Sequence, residues 1–466
     1  MAGRRGPNHI STQRIRIAEL AKKSPTMVLT TLAHHIDLQW MYEAYILTRK
    51  DGAVGVDEIT HEMYKENLNE NLKALLERCK SGRYRAQLLK RAYIPKDDGQ
   101  KRPIGITAFE DKILQRALTM VLEQVYEQDF YDFSYGFRPG RSQHQALEAM
   151  RDATWKVSGG WVLSVDIKGY FDTIDHQHLR NFLDLRVRDG VIRRTIDKWL
   201  RAGVLEEGEI SYSDVGTPQG GVISPLISNI FLHHLLDDWF VKQVCPKMKG
   251  SAELFRFADD FIMVFSSEED ARRVHRVLIK RFEKYGLEIH PEKTKLIDFR
   301  RPVYMTNRKV PHEKKPGVVD FLGFTLYWGK SRNGKWMITR KTNGKRLRRC
   351  IRKIKSWCRK NRHRKLMEQH KILSQKLEGH YQYFGVTGNM RKVKEFHQAV
   401  RMIWKRWLSR RSQQRHLTWE AYFNKLDANP LPKPHLPKSV FNSQRTSLSE
   451  EPYESTFKYG SVGGVR

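Results

Sequence analysis

Through the middle of the chain, short apolar runs alternate with amphipathic stretches, the rhythm of an α/β or α+β protein in which helices cover strands. The run WVLSVDI (161–167) is short, apolar and rich in Val and Ile, which predicts a buried central strand with Asp166 at its end. LFRFADDFIMVF (254–265) is two such runs separated by Asp259 and Asp260, the pattern of a hairpin with acids at its turn. A helix follows: Ser267 is the N-cap with Asp270 three residues on, Val274, Val277, Leu278 and Phe282 form one face, and Gly286 ends it. Further on, Ile351, Ile354 and Trp357, then Val400, Ile403, Trp404 and Trp407, recur at helical spacing. Between them GHYQYFGVTGN (379–389), rich in Gly and aromatics, suits a turn joining two helices or a place where backbones approach closely. Beyond about residue 428 the composition shifts to Pro and Ser (NPLPKPHLPKSV), which predicts a linker and a poorly ordered tail.

Charge changes this picture. The chain has 466 residues, enough for two to four domains or one multi-lobed enzyme, and a formal net charge of +33. That excess is opposite in sign to a phosphate backbone and makes nucleic acid the expected partner, with an anionic membrane surface or a merely basic surface as alternatives. Residues 340 to 415 hold 25 Lys and Arg against Glu368, Glu378 and Glu395, a net of +22. Because this stretch keeps apolar residues at helical spacing, it reads as folded helices that pack inward and grip phosphates outward. Cys79, Cys245, Cys350 and Cys358 are scattered, without CxxC or zinc-ligand spacing, so neither a disulfide framework nor a zinc module is indicated. The N-terminus lacks the apolar core of a secretory signal and no segment reaches membrane-spanning length; the expectation is a cytoplasmic, nucleoid-associated protein without a membrane partner.

The acids suggest a chemistry. Joining nucleotides requires a 3′-hydroxyl to attack an α-phosphorus while pyrophosphate leaves, and two divalent metals can stabilise both oxygens of that displacement. Magnesium takes oxygen ligands, usually one or two carboxylates plus substrate phosphates. Asp166 on one strand and Asp259–Asp260 in a neighbouring hairpin meet the requirement if the strands pair. A DD pair in a hairpin is also ordinary turn chemistry, whereas a carboxylate inside an apolar run needs a partner.

SVDIKGYFDTI, GTPQGGVISPLISN, RFADDFIMVF, GLEIHPEKTKL and FLGF, in that order, resemble the palm motifs of reverse transcriptases. Upstream, YIPKDDGQKRPIGI and FSYGFRPGRSQHQAL resemble fingers segments of group II intron reverse transcriptases, and downstream GHYQYFGVTGNMRKVKEFHQAVRMIWKRWLSRRSQ resembles their thumb and maturase domain. The resemblance spans roughly residues 30 to 425. It implies an α+β right-hand polymerase, with fingers and an antiparallel palm sheet followed by an α-helical thumb/maturase domain. The implied divisions are a basic N-terminal extension (1–45), fingers (46–160), palm with interleaved fingers elements (161–330), helical thumb and RNA-binding domain (331–427) and a Pro/Ser-rich tail (428–466).

Carried onto this sequence, the resemblance implies that Asp166 and Asp259 bind two Mg²⁺ ions, with Asp260 as ligand or support and Ile167 in the same metal set. Phe171 falls at the steric gate, where a ring would clash with a ribose 2′-hydroxyl and select deoxynucleotides; ordinary core packing explains it equally well. Gln219 and Gly220 match the segment under the incoming nucleotide, Lys96 and Arg102 the triphosphate grip, and Lys293 the lysine that assists pyrophosphate departure as a general acid. Phe257 stands where the family more often has Tyr, which removes a hydroxyl and no metal ligand. In the basic helices (345–360 and 391–411), Arg346, Arg349, Arg352, Arg391, Lys392, Arg406 and Arg410 are the candidate nucleic-acid contacts.

The function implied is an RNA-directed DNA polymerase that also binds its intron RNA to promote splicing and mobility. Its partners would be structured intron RNA, RNA template with DNA primer, dNTPs and target DNA. A host-adopted enzyme in repair or antiviral defence, without an intron partner, is the alternative; the intact acids argue against a non-catalytic maturase. The residues after 415 contain no cysteine, and the expectation is that no HNH endonuclease activity accompanies the polymerase.

Overall fold

A computed structural model of the chain describes residues 8–95, 101–206, 208–212, 215–216, 220–302, 317–331, 333–411, 417–428 and 430–437. The chain forms two compact units, one of residues 1–322 with 330–337, the other of 323–329 with the chain from 338 onward.

The first unit carries strands β1 (Leu89–Pro95), β2 (Lys101–Ile106), β3 (Trp161–Val165), β4 (Ile167–Lys168), β5 (Val204–Glu206), β6 (Glu209–Ser211), β7 (Ala252–Phe257), β8 (Asp260–Phe265), β9 (Glu288–Ile289), β10 (Lys295–Asp298) and β11 (Val319–Phe321). Its central sheet runs β10-β3-β8-β7, antiparallel throughout. Register follows burial: Val162 pairs with Val264, Leu163 with Met263 and Val165 with Phe261, all buried. A shift of one residue would turn this apolar set to the other face. A second sheet, β2-β1-β5-β6, joins β1 and β5 in parallel and its other neighbours antiparallel.

Helices close the core. In Phe109–Asp129, Ile113, Leu114, Ala117, Leu118, Val121, Leu122 and Val125 are buried. The N-terminal helix Asn8–Lys23 buries Ile17 and Ala21 in the same core, and Trp40 donates its indole N–H to the Ala117 carbonyl at 3.0 Å. The helix Glu268–Lys284 is capped by Ser267, as its sequence predicts. Val277, however, is exposed, leaving Ala271, Val274, Leu278 and Phe282 as the buried face. Asp270 does not reach back to the cap; it turns inward and accepts the amides of Lys249 and Gly250 at 2.9 and 3.0 Å.

The second unit contains β12 (Phe324–Lys330) and β13 (Trp336–Thr342) for the most part, and the helices Gly344–Lys360, Leu366–Phe384, Met390–Leu408 and Trp419–Ala428. Its core is Leu347, Ile354, Cys358, Leu373, Leu377, Tyr381, Val393, Phe396, Val400 and Trp404, with Ile351, Trp357, Ile403 and Trp407 at the edge. The Gly- and aromatic-rich segment is not a turn throughout: the helix continues to Phe384, with Tyr381 and Phe384 on its buried face, and only 385–389 turn. The segment 430–437 lies against this core: Leu431 is buried, and the Tyr381 hydroxyl donates to the Pro432 carbonyl at 3.2 Å. Among the described residues no helix is long and apolar enough to cross a membrane.

Candidate active site

The strand expected over 161–167 breaks at its acid. β3 ends at Val165, opposite Phe261, and Ile167 pairs with Ile289 in a separate two-stranded ladder. Asp166 occupies the break, its amide donating to Thr294 Oγ1 at 3.4 Å and its carbonyl accepting from the His290 amide at 2.8 Å. Pairing of β3 with β8 thus sets Asp166 beside the β7–β8 turn. Phe257 and Asp260 close that turn, with Ala258 and Asp259 at its tip.

The tip is strained and braced. Ala258 has φ +57°, a conformation usually left to Gly, Asn or Asp. Arg256, fully buried, holds it from below: Nη1 donates to the Ala258 carbonyl at 3.3 Å and to Asn229 Oδ1 at 2.9 Å. Nε and Nη2 form a bidentate pair with buried Asp237 at 2.9 and 2.5 Å. Asn229 passes the network on, donating Nδ2 to the Gly136 carbonyl at 2.7 Å. Gly136 packs so tightly on the turn that a Cβ there would lie 2.2 Å from the Ala258 amide nitrogen. Sequence reading missed Arg256, Asp237 and Asn229. The signal available was parity, since Arg256 shares a strand face with buried Leu254.

Electrostatics mark the site as short of positive charge. Burial, and then the Asp166 charge, push the Asp259 carboxyl above the usual carboxylate range, against its own backbone hydrogen bond and the pull of Arg102 and Arg256. Crowding by the surrounding protein, then the charges of Asp259 and Asp166, push Asp260 up to about 7, opposed by the Leu322 backbone. The residue stays solvent-accessible, so repulsion between the three acids is the part of that rise a bound cation would relieve. Lys293 donates to Asp166 Oδ2 at 2.9 Å, and both side chains remain exposed enough to separate. Three convergent carboxylates with, among the described residues, one direct ammonium partner are a donor set that fits hard divalent cations. Ile167 can contribute only its backbone carbonyl.

The remaining candidates lie as follows. Arg102 is exposed on β2 and acts electrostatically on Asp259. Gly220, at φ +118°, packs on the same strand so closely that a Cβ would lie 2.7 Å from the Gly105 carbonyl oxygen. The loop that follows is tied down where the Val222 amide donates to Gln115 Oε1 at 2.7 Å. Phe171 sits in the short helix Tyr170–Thr173, half-buried against the core, its ring edge-on to Tyr170 at 5.3 Å. Lys96 and Gln219 lie outside the described residues. Arg346, Arg349 and Arg352 are on the helix Gly344–Lys360, and Arg391, Lys392 and Arg406 on Met390–Leu408 with Arg410 just beyond it. Lys392 is paired with Glu395 at 2.6 Å, while Arg352, Arg406 and Arg410 share one cleft.

Residues 94–326 match the family described as reverse transcriptase (RNA-dependent DNA polymerase). Protein YkfC of Escherichia coli (strain K12) is 30% identical over 361 residues, 71% of this chain and 91% of that protein. The group II intron-encoded protein LtrA of Lactococcus lactis subsp. cremoris is 37% identical over 245 residues, 51% of this chain and 39% of LtrA. The chain belongs to the group II intron reverse transcriptase/maturase family. Nuclear intron maturase 2, mitochondrial, of Arabidopsis thaliana is also similar, at 30% identity over 176 residues, 30% of this chain and 24% of that protein. This reverse transcriptase thus aligns with less than half the length of LtrA and of the plant maturase. Its activity is RNA-directed DNA polymerisation.

Proposed function

We propose that DNA synthesis takes place at the β7–β8 turn by two-metal phosphoryl transfer. The observation that carries this reading is the β3–β8 pairing, which brings Asp166 to Asp259 and Asp260. Asp166, Asp259 and the Ile167 carbonyl, with Asp260 as ligand or support, would hold two Mg²⁺ ions. Such ions supply Lewis-acid stabilisation of the attacking and leaving oxygens. Arg102 and Lys96 grip the triphosphate, and Gly220 lets the backbone come close beneath the nucleotide, next to Gln219. Phe171 excludes a ribose 2′-hydroxyl. Lys293, on the exposed side of Asp166, gives its proton to the departing pyrophosphate. The Arg256–Asp237–Asn229 network keeps the turn in its strained form, so the carboxylates need not reorganise during the reaction.

The second unit binds the intron RNA, promoting its splicing and mobility. Its support is the density of Arg and Lys on the helices Gly344–Lys360 and Met390–Leu408, together with the likeness to a group II intron-encoded protein and an intron maturase. Sequencing the RNA that co-purifies with the protein tests it. A single structured intron is expected; heterogeneous RNA with no intron enriched would instead favour a host-adopted enzyme.

A further inference from the structure

The second unit holds a cleft that the polymerase chemistry does not use. It is a shallow, solvent-open cleft of about 650 Å³ between the helices Gly344–Lys360 and Met390–Leu408 and the turns that follow them. Arg352, Lys355 and Arg359 line it from one helix at intervals of three and four residues, Arg362 from the turn beyond, and Arg406 and Arg410 from the other side. Like charges so spaced repel. Among the described residues none of these six is in an ion pair with a carboxylate, so the cleft is a concentrated, uncompensated positive field that calls for an anion.

Size narrows the ligand. A volume near 650 Å³ lies within the roughly 300–1,000 Å³ of clefts that enclose one small ligand. A double helix presents its phosphates on a convex surface too broad for such a cleft, whereas one nucleotide unit with its two flanking phosphates is of the right scale. The cleft also offers more than charge. Ser356 contributes a hydroxyl, and Trp407 an indole N–H that is buried without a hydrogen-bond partner among the described residues. A donor so placed needs an acceptor, which a phosphate or base oxygen supplies. The Arg410 guanidinium lies 5.3 Å from the centre of the Trp407 ring, giving a flat cationic surface of the kind on which an unstacked base rests.

The geometry points to a subsite for one unpaired nucleotide of a bound RNA strand, gripped by its flanking phosphates. This rests on the reading of the second unit as RNA-binding and goes beyond it by specifying single-stranded RNA over duplex. Contacts of this type are tolerant of sequence, so the subsite detects that the strand is unpaired.

The test is binding of a 5′-labelled decauridylate and of a ten-base-pair blunt RNA duplex to the full chain over a range of KCl concentrations. Replacing Arg352, Arg406 and Arg410 together by Ala should weaken decauridylate binding at least tenfold. It should also flatten the slope of log affinity against log salt by about 1.4, roughly 0.7 for each of the two phosphates that flank the nucleotide. Duplex binding should change less than twofold, and the corresponding triple Lys variant should keep the wild-type slope. Unchanged decauridylate binding in the triple Ala variant would overturn the subsite. Equal loss for both probes would also overturn it, while leaving the unit an RNA-binding surface. If the wild-type chain bound neither probe, the RNA-binding reading itself would fall.

Discussion

Arg256→Ala removes the cation from a pair in which both side chains are fully buried. Asp237 would then be a fully buried carboxylate without its direct guanidinium partner, and Asn229 Oδ1 and the Ala258 carbonyl would each lose a donor. Breaking a buried ion pair on one side costs about 3–5 kcal/mol. At roughly 2 °C per kcal/mol, the low end of the range for larger domains, the melting temperature should fall by roughly 6–10 °C. A second variant separates stability from positioning. Replacing the pair together, Asp237→Leu with Arg256→Met, removes both charges and should recover most of the lost stability. It leaves the Ala258 carbonyl without its donor, so primer extension should stay low in the double variant. Thermal melts and primer-extension rates on the wild type and the two variants are the assay. A melting temperature for Arg256→Ala within 2 °C of wild type, or full extension activity in the double variant, would refute the claim that this network holds the turn.

Other consequences are as specific. Gly136→Ala would put a Cβ against the Ala258 amide, and cDNA synthesis should fall on the order of 10²-fold, as expected for an ångström-scale displacement of the reacting groups; near-normal rates would show that the turn can yield. Phe171→Ala should admit ribonucleotides in single-nucleotide extension, and unchanged sugar selectivity would return Phe171 to a packing role. His380 is buried with its ring stacked on Phe396 at 3.8 Å, and burial, then the Arg346 charge, lowers its pKa to about 4. The unfolded chain therefore binds the extra proton between about pH 6.5 and 4, so His380 lowers stability as pH falls through that window, by up to roughly 3 kcal/mol. His380→Phe should flatten this part of the pH dependence in thermal melts, and an identical pH profile would contradict the assignment.

How far the sequence carried depended on whether the signal was local. β3, β7 and β8 were legible because alternation and Val/Ile-rich runs report burial directly, and a two-residue turn between apolar runs leaves little choice of register. Asp166 could be expected at a strand end, yet the break that frees it depends on Thr294 and His290, more than a hundred residues away. In the segment 379–389 the turn is confined to 385–389, because a single glycine in a helix costs only about 1 kcal/mol, which the burial of Tyr381 and Phe384 outweighs; the close backbone approach falls at Gly385, where a Cβ would lie 2.9 Å from the His435 carbonyl oxygen. Asp270 read as a local cap but serves the distant amides of Lys249 and Gly250. Arg256 is the plainest instance: local composition makes it a misplaced charge on a buried strand, and only Asp237, brought alongside by the fold, explains it.

Asp166, Asp259 and Asp260, as the proposed centre of DNA synthesis on an RNA template, are open to a direct test. Purified protein given an RNA template, an annealed DNA primer, Mg²⁺ and dNTPs should extend the primer into cDNA. Asp259→Ala should bind the same template–primer with wild-type affinity and make no product. Extension by Asp259→Ala at the wild-type rate would contradict the account.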